Sequence, residues 1–171
     1  MGFTKTSFSF SLAVLATFLL ISSADSAAVN PFCDTAKDKA LCTVMVKDAK
    51  TWDMAMTNVL NAALEKAKAG KKIVDSIPSK LPGDLEPETK DSIDQTCQEA
   101  YETIIDNLNK SIGFVKSDPT SALNTYLWAT TFSDCTDSLD EFELSVAEAT
   151  HFNRAITKLS STLLAVAGKK P

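Results

Sequence analysis

Apolar residues recur at three- and four-residue steps along most of this chain, which is the spacing of one buried face of an α-helix. Between about residues 51 and 77 this repeat predicts one long amphipathic helix, weakened in its middle by Gly70. Its apolar positions are Trp52, Met56, Val59, Ala63, Ala67 and Val74. Residues 78–83 hold two prolines and a glycine and predict a loop.

The next helix has the clearest stripe. Asp84 or Glu86 can begin it, and Pro87 suits its first turn because an N–H there would have no helical partner. The stripe continues for more than five turns, as in a helix packed within a bundle. Its members are Ile93, Cys97, Tyr101, Ile104, Leu108, Ile112 and Val115.

A turn at residues 117–119 separates this helix from the two that follow. Asp118 is predicted as the N-cap of the third helix and Pro119 as its first residue. The apolar stripe of the third helix is Leu123, Leu127, Cys135, Leu139 and Phe142; that of the fourth is Val146, Ala149, Phe152, Ile156, Leu159, Leu163 and Val166, ending near Gly168. The sequence shows no strand-type alternation. Four long helices with short connections predict an all-α, up-down-up-down four-helix bundle.

The amino terminus has the pattern of a secretory leader. Lys5 is followed by an apolar run from about residue 8 to residue 21 and then by small residues that suit cleavage. The run has about fourteen residues, too few for the roughly twenty that a membrane-spanning helix needs. We therefore expect residues 1–28 to be a cleaved signal peptide and residues 29–171 to form one secreted domain.

The net charge of the chain indicates which classes of binding partner it suits. The whole chain has 17 basic and 22 acidic residues, a formal net charge of −5. The leader holds one residue of each sign, so the mature chain keeps that net charge. An acidic protein is poorly suited to nucleic acid or an anionic membrane surface and better suited to a basic protein. Asn109, Lys110 and Ser111 form an acceptor triplet for N-glycosylation, although an unmodified exposed helical turn fits the same residues.

The chain has four cysteines, and an even number in a secreted chain predicts disulfides. Cys97 and Cys135 are equidistant from residue 116, one step before the 117–119 turn. If two helices fold back antiparallel there, both cysteines lie roughly 28 Å from the turn, at the same height. This geometry pairs Cys97 with Cys135 and leaves Cys33 with Cys42 to close a short loop.

Catalytic chemistry is not indicated. His151 is the only histidine, which removes most hydrolytic dyads and triads, and its position suits a surface or half-buried structural role. The acidic residues Asp134, Asp137, Asp140 and Glu141 have the spacing of a solvated helix face. Trp52 and Trp128 are expected in the core, because aromatic residues at helical spacing are more often buried than used as partner contacts. No phosphate loop, nucleophile elbow or metal-ligand pattern occurs, so neither an enzyme nor a cofactor or metal is expected.

Several segments of this sequence resemble those of the plant invertase and pectin methylesterase inhibitor family. They are the leader, the short Cys33-to-Cys42 loop, Cys97 four residues before Tyr101, the run Ser133-Asp134-Cys135-Thr136-Asp137 leading to Glu141-Phe142, and the closing run Ala155-Ile156-Thr157-Lys158-Leu159. The resemblance covers essentially the whole mature chain. It implies a four-helix bundle preceded by an N-terminal helical hairpin, with neighbouring cysteines paired.

The resemblance also implies a function. We expect a monomer without a cofactor that is secreted into the plant cell wall space and inhibits a carbohydrate-active enzyme by one-to-one docking. Invertase inhibitors of the family share a Pro-Lys-Phe motif that opens the helix after the middle turn and enters the invertase active site. Here those positions, the candidate partner contacts, are Pro119, Thr120 and Ser121. The proline is kept, while the lysine and the ring are missing.

This departure favours pectin methylesterase as the target. Two alternatives stay open: an invertase inhibitor that relies on Pro119 and other contacts, and a non-inhibitory member of the kind found in pollen.

Overall fold

The structure is a computed structural model that describes residues 29–128 and 133–170; the side chains of 126–128 and the predicted leader, residues 1–28, lie outside this description. The described residues contain α-helices and two short 3-10 turns, Pro31–Cys33 and Pro78–Lys80, and they include no strand. The helices are α1 (Lys39–Val46), α2 (Trp52–Ala69), α3 (Lys71–Ser76), α4 (Pro87–Phe114), α5 (Pro119–Trp128), α6 (Ser133–Glu141) and α7 (Ala147–Ala167).

The helices form the predicted four-membered bundle. α2 packs against α4 and α7, α4 packs against α5 and α6, and α6 packs against α7, so the ring of neighbours is closed. α3 continues the α2 member and contacts both α4 and α7. No helix in residues 29–128 and 133–170 has the length and apolar character needed to cross a bilayer.

The first bundle member is divided, whereas the sequence predicted one helix up to about residue 77. α2 ends at Ala69, and Gly70 is at once its C-cap and the N-cap of α3. The division falls at the glycine that weakens the predicted helix, and the packing requires glycine there: a Cβ added at Gly70 would lie 2.9 Å from Cδ2 of Phe152, and closer still to the outer ring atoms. Phe152 belongs to α7 and is only 3% exposed. Gly70 therefore allows α7 to approach the backbone of the first bundle member.

α4 agrees closely with its prediction. It begins at Pro87, with Glu86 at the N-cap, and extends over 28 residues, about 42 Å at the usual rise. Of the predicted stripe, every member is buried except Ile112, which is partly buried against the core.

The third bundle member is described in two parts, α5 and α6, separated by residues 129–132. Phe142 was predicted on its buried stripe, and this is wrong: the residue is 40% exposed. α6 ends at Glu141, and Glu143 takes a left-handed conformation with φ of 55°. The N–H of Leu144 then reaches the Leu139 carbonyl at 2.9 Å, a Schellman cap that turns the chain away from the helix axis.

The N-terminal segment folds back onto the carboxyl-terminal half of α7. The turn Pro31–Cys33 and α1 both contact α7, and α1 also lies along α2. Two ion pairs join this segment to α7 and the residues after it: Asp38 with Lys158 at 2.8 Å and Asp34 with Lys169 at 3.4 Å. The buried Trp52 indole donates to the Val166 carbonyl at 3.1 Å. The predicted helical hairpin is thus a short turn and one helix held against the bundle.

Candidate functional site

Two disulfides fix the bundle. Cys33 bonds to Cys42 and Cys97 bonds to Cys135, with Cα atoms 5.7 Å and 4.4 Å apart. All four cysteines are fully buried. The second bond joins the middle of α4 to the first turn of α6, so the third bundle member is held in register with the second.

The candidate contact residues lie at the amino terminus of α5, which follows the 117–119 turn. Asp118 caps the helix as predicted: its Oδ1 accepts from the Ser121 backbone N–H at 3.0 Å, and its Oδ2 accepts from the Ser121 hydroxyl at 2.6 Å. Pro119 is half-buried and occupies the first helical position. Thr120 is exposed, whereas Ser121 is half-buried and its hydroxyl is occupied by the cap. Thr120 is thus the side chain of these three that is open to a partner.

Residues 118–121, here called the α5 corner, contain a charged helix cap. The Ser121 hydroxyl, followed by the Ser121 and Thr120 backbone N–H groups, lowers the pKa of the Asp118 carboxyl below its ordinary value. Lys170 lies close enough to contribute to the same lowering. The Lys170 ammonium also lies 6.0 Å from the centre of the Trp52 ring. The α5 corner, the end of α7 and the start of α2 are therefore neighbours at one end of the bundle.

A groove of about 700 Å³ lies between α4, α5 and α6. Its described lining is Ala100, Thr103, Asn107, Lys110, Asn124, Thr125 and Asp134. Sequence reasoning missed this groove, although Thr103, Asn107 and Lys110 follow one another at four- and three-residue steps along a single face of α4. The lining offers amides, hydroxyls and one charge of each sign, which can form hydrogen bonds with a polar partner.

The described residues offer no arrangement of catalytic groups. His151 is exposed on α7, and Asp134, Asp137, Asp140 and Glu141 are exposed along α6. No group of His, Cys, Asp and Glu in residues 29–128 and 133–170 could hold a metal ion. Trp52 is buried as expected, while the Trp128 side chain falls outside the description. Asn109 is exposed on α4 and Ser111, two residues later, is fully buried.

Comparison with solved structures identifies a protein with the same fold. No curated protein matches the chain. Among solved structures, the chain is similar to a mutant form of a pectin methylesterase inhibitor from Arabidopsis, with 17% identity and a TM-score of 0.63. The match covers 82% of this chain and 95% of that one, and at this identity it shows the shared fold.

A family model adds the sequence-level relationship. The model of the plant invertase/pectin methylesterase inhibitor family matches residues 27–166, which include all four cysteines and every described helix but the last residue of α7. The chain therefore belongs to the plant invertase/pectin methylesterase inhibitor family.

Proposed function

We propose that this chain is a secreted inhibitor of a pectin methylesterase that docks one-to-one over the enzyme's substrate groove. Membership of the family supports an inhibitor of one of the two target classes rather than an enzyme. The choice of target, the docking mode, the single-copy state and secretion to the cell wall space after loss of residues 1–28 are our proposal.

The observation that carries the choice of target is the chemistry of the α5 corner. Invertase inhibitors of the family place a lysine and an aromatic ring after the proline, and this chain has Thr120 and Ser121 there. The Ser121 hydroxyl is bound to Asp118, and Thr120 is too short to fill a deep substrate pocket. Without a long cationic or aromatic side chain, the α5 corner cannot insert deeply into a pocket. It suits an enzyme whose substrate site is an open groove, because a flat protein surface can cover such a groove.

Rigidity and charge support docking of this kind. Pectin is a polyanion, so an enzyme that binds it presents a groove suited to negative charge, and the chain has a net charge of −5. The two disulfides and the buried core keep the bundle surface in place before binding, so little additional ordering cost is added to association. We expect an interface of standard size, roughly 1,600 Å² in total.

The direct test is a titration of the purified mature protein against several plant pectin methylesterases and invertases between pH 5 and 7. We expect esterase activity to fall to a plateau at one inhibitor per enzyme and invertase activity to stay unchanged. Absence of esterase inhibition at micromolar concentration across the isoforms would refute the proposal. Inhibition of an invertase alone would assign the other target class to this chain.

Variants at the corner locate the contact. Thr120→Arg changes the exposed side chain and leaves the Asp118–Ser121 cap in place, so we expect weaker esterase inhibition with unchanged thermal stability. Glu88→Arg, at an exposed position near the opposite end of α4, is the matched control and should leave inhibition unchanged. Equal effects of the two variants would place the contact elsewhere.

A pull-down from cell-wall extract tests the non-inhibitory alternative. Recovery of no carbohydrate-active enzyme with the protein would favour that alternative.

A further inference from the structure

We infer that Asn109 carries an N-linked glycan that is attached before helix α4 forms. Asn109-Lys110-Ser111 is the single acceptor triplet in the sequence. The structure shows the side chains of its first and third residues in opposite environments, and this contrast carries the inference. It rests on the secretion included in the proposed function, but not on the identity of the inhibited enzyme.

The acceptor side chain lies on the open face of α4. Asn109 is exposed, as are Glu102, Asp106 and Gly113, which lie one or two turns away on the same face. A Cβ added at Gly113 would meet no atom within 4 Å. Among the described residues, the Asn109 amide donates to the Ile105 carbonyl of its own helix, at 2.9 Å. A glycan on this nitrogen therefore projects into solvent and displaces no contact between helices.

The third residue of the triplet has no visible role in the folded protein. Ser111 is fully buried, and its hydroxyl has no hydrogen-bond partner among the described residues. A buried hydroxyl without a partner lowers stability, and alanine would fill nearly the same space without that cost. The hydroxyl does have a chemical role in the unfolded chain, where the glycosyl transferase recognises it two residues after the acceptor asparagine.

The helix prevents both groups from being recognised together. Residues two apart on an α-helix point about 200° apart around the axis, so Asn109 faces solvent while Ser111 faces the core. Transfer must therefore precede folding of this segment. In the transfer step the Asn109 Nδ2 bonds to the anomeric carbon of a lipid-pyrophosphate-linked oligosaccharide. The bond from that carbon to the pyrophosphate breaks, the amide gives up one proton, and the lipid pyrophosphate leaves.

The first experiment is expression through a eukaryotic secretory pathway, with intact mass measured before and after enzymatic removal of N-glycans. One version keeps residues 1–28, and a second carries a host leader ahead of residue 29, so that failure of the native leader is separated from failure of the site. We expect one glycan per secreted molecule. Asn109→Gln and Ser111→Ala should each abolish it, while Ser111→Thr and the nearby Asn107→Gln should retain it. Secreted protein with the mass of the bare chain would overturn the inference.

The second experiment tests the order of events. Protein from bacterial expression, with both disulfides formed, is offered to oligosaccharyl transferase and a lipid-linked donor, in parallel with the same chain reduced and alkylated. We expect modification of the unfolded chain and at least a tenfold smaller yield from the folded one. Equal yields would contradict the order.

Stability of the glycan-free protein provides a third measurement. Ser111→Ala should leave its melting temperature unchanged or raise it, with Thr162→Val, the other buried hydroxyl without a described partner, as the matched control outside any acceptor triplet. A large fall for Ser111→Ala would show a structural role for the hydroxyl and would remove the argument from its burial.

Discussion

Gly70 is the position where a single methyl group should most clearly disturb the packing of the bundle. In Gly70→Ala the new Cβ would lie 2.9 Å from Cδ2 of Phe152 and closer to the outer ring atoms. The ring cannot move into solvent to relieve this contact, because it is 3% exposed and enclosed by the core. The substitution therefore forces α7 and the α2–α3 junction apart or pushes the ring out of its rotamer.

The size of the effect can be worked out from two opposing contributions. Overpacking of a well-packed core costs about 1–3 kcal/mol, and a clash with a ring that is held in place belongs in the upper part of that range. Alanine regains up to about 1 kcal/mol, since glycine is the poorer helix former. The net loss is about 1–2 kcal/mol in the free energy of unfolding. At roughly 3 °C per kcal/mol for a domain of this size, the melting temperature should fall by about 3–6 °C.

Urea unfolding and thermal melting followed by circular dichroism measure this loss. Gly113→Ala is the matched control: it lies in α4 with no atom within 4 Å of the added Cβ, so only the gain in helix propensity remains and stability should rise. Phe152→Leu removes the outer ring atoms, and in that background Gly70→Ala should cost less than about 0.5 kcal/mol. If Gly70→Ala is neutral or stabilising in the wild-type background, the steric requirement for glycine at position 70 is wrong.

Four further predictions follow from the same structure. Replacing Cys97 and Cys135 together by alanine should lower the unfolding free energy in urea by about 4 kcal/mol, because the loop that they close is then free in the unfolded chain; a loss below about 1 kcal/mol would contradict this. The Glu148 pKa is lowered from its ordinary 4.5, first by the hydrogen bond from Lys80 at 2.5 Å. The contribution of ionised Glu148 to folding stability is therefore present above pH 4.5 and is lost as the pH falls through the folded pKa. Melting temperatures between pH 6 and 3 should therefore fall less steeply for Glu148→Gln, and parallel curves would contradict this. Glu143→Gly should raise the melting temperature, since φ of 55° strains a side chain but not glycine, and a fall would mean that the glutamate makes a compensating contact. The rate of association with the target enzyme should decrease from about 20 to 500 mM salt as exposed charges are screened, and a flat rate would assign recognition to uncharged contacts.

The fold was predictable from the sequence because its main determinants are periodic or local. The stripe of α4 and the cap at Asp118 are each encoded within a few neighbouring residues, and the pairing of Cys97 with Cys135 follows from symmetry about one turn. The exposure of Phe142 was not predictable in this way. It depends on Glu143 adopting a left-handed conformation that the residue type does not favour.

Features that depend on contacts between distant segments could not be predicted from the sequence either. The close approach of α7 to Gly70 requires knowledge of where Phe152 lies, 82 residues later in the chain. The groove between α4, α5 and α6 requires Lys110 on α4 to be placed beside Asn124 and Asp134 on the next bundle member. A periodic pattern shows which face of a helix is buried, but it does not show which polar residues of two exposed faces will meet.

The placement of the N-terminal segment has a practical consequence for binding measurements. Asp34 is joined to Lys169, and Lys170 lies near both Trp52 and Asp118, so the first and last described segments meet beside the α5 corner. An affinity tag or surface linkage joined directly before residue 29 or after residue 170 would stand near the α5 corner and obstruct the contact at Thr120 that it was meant to reveal. Attachment through the opposite end, for example at an introduced cysteine in place of exposed Gly83, would present the corner freely to an enzyme in solution.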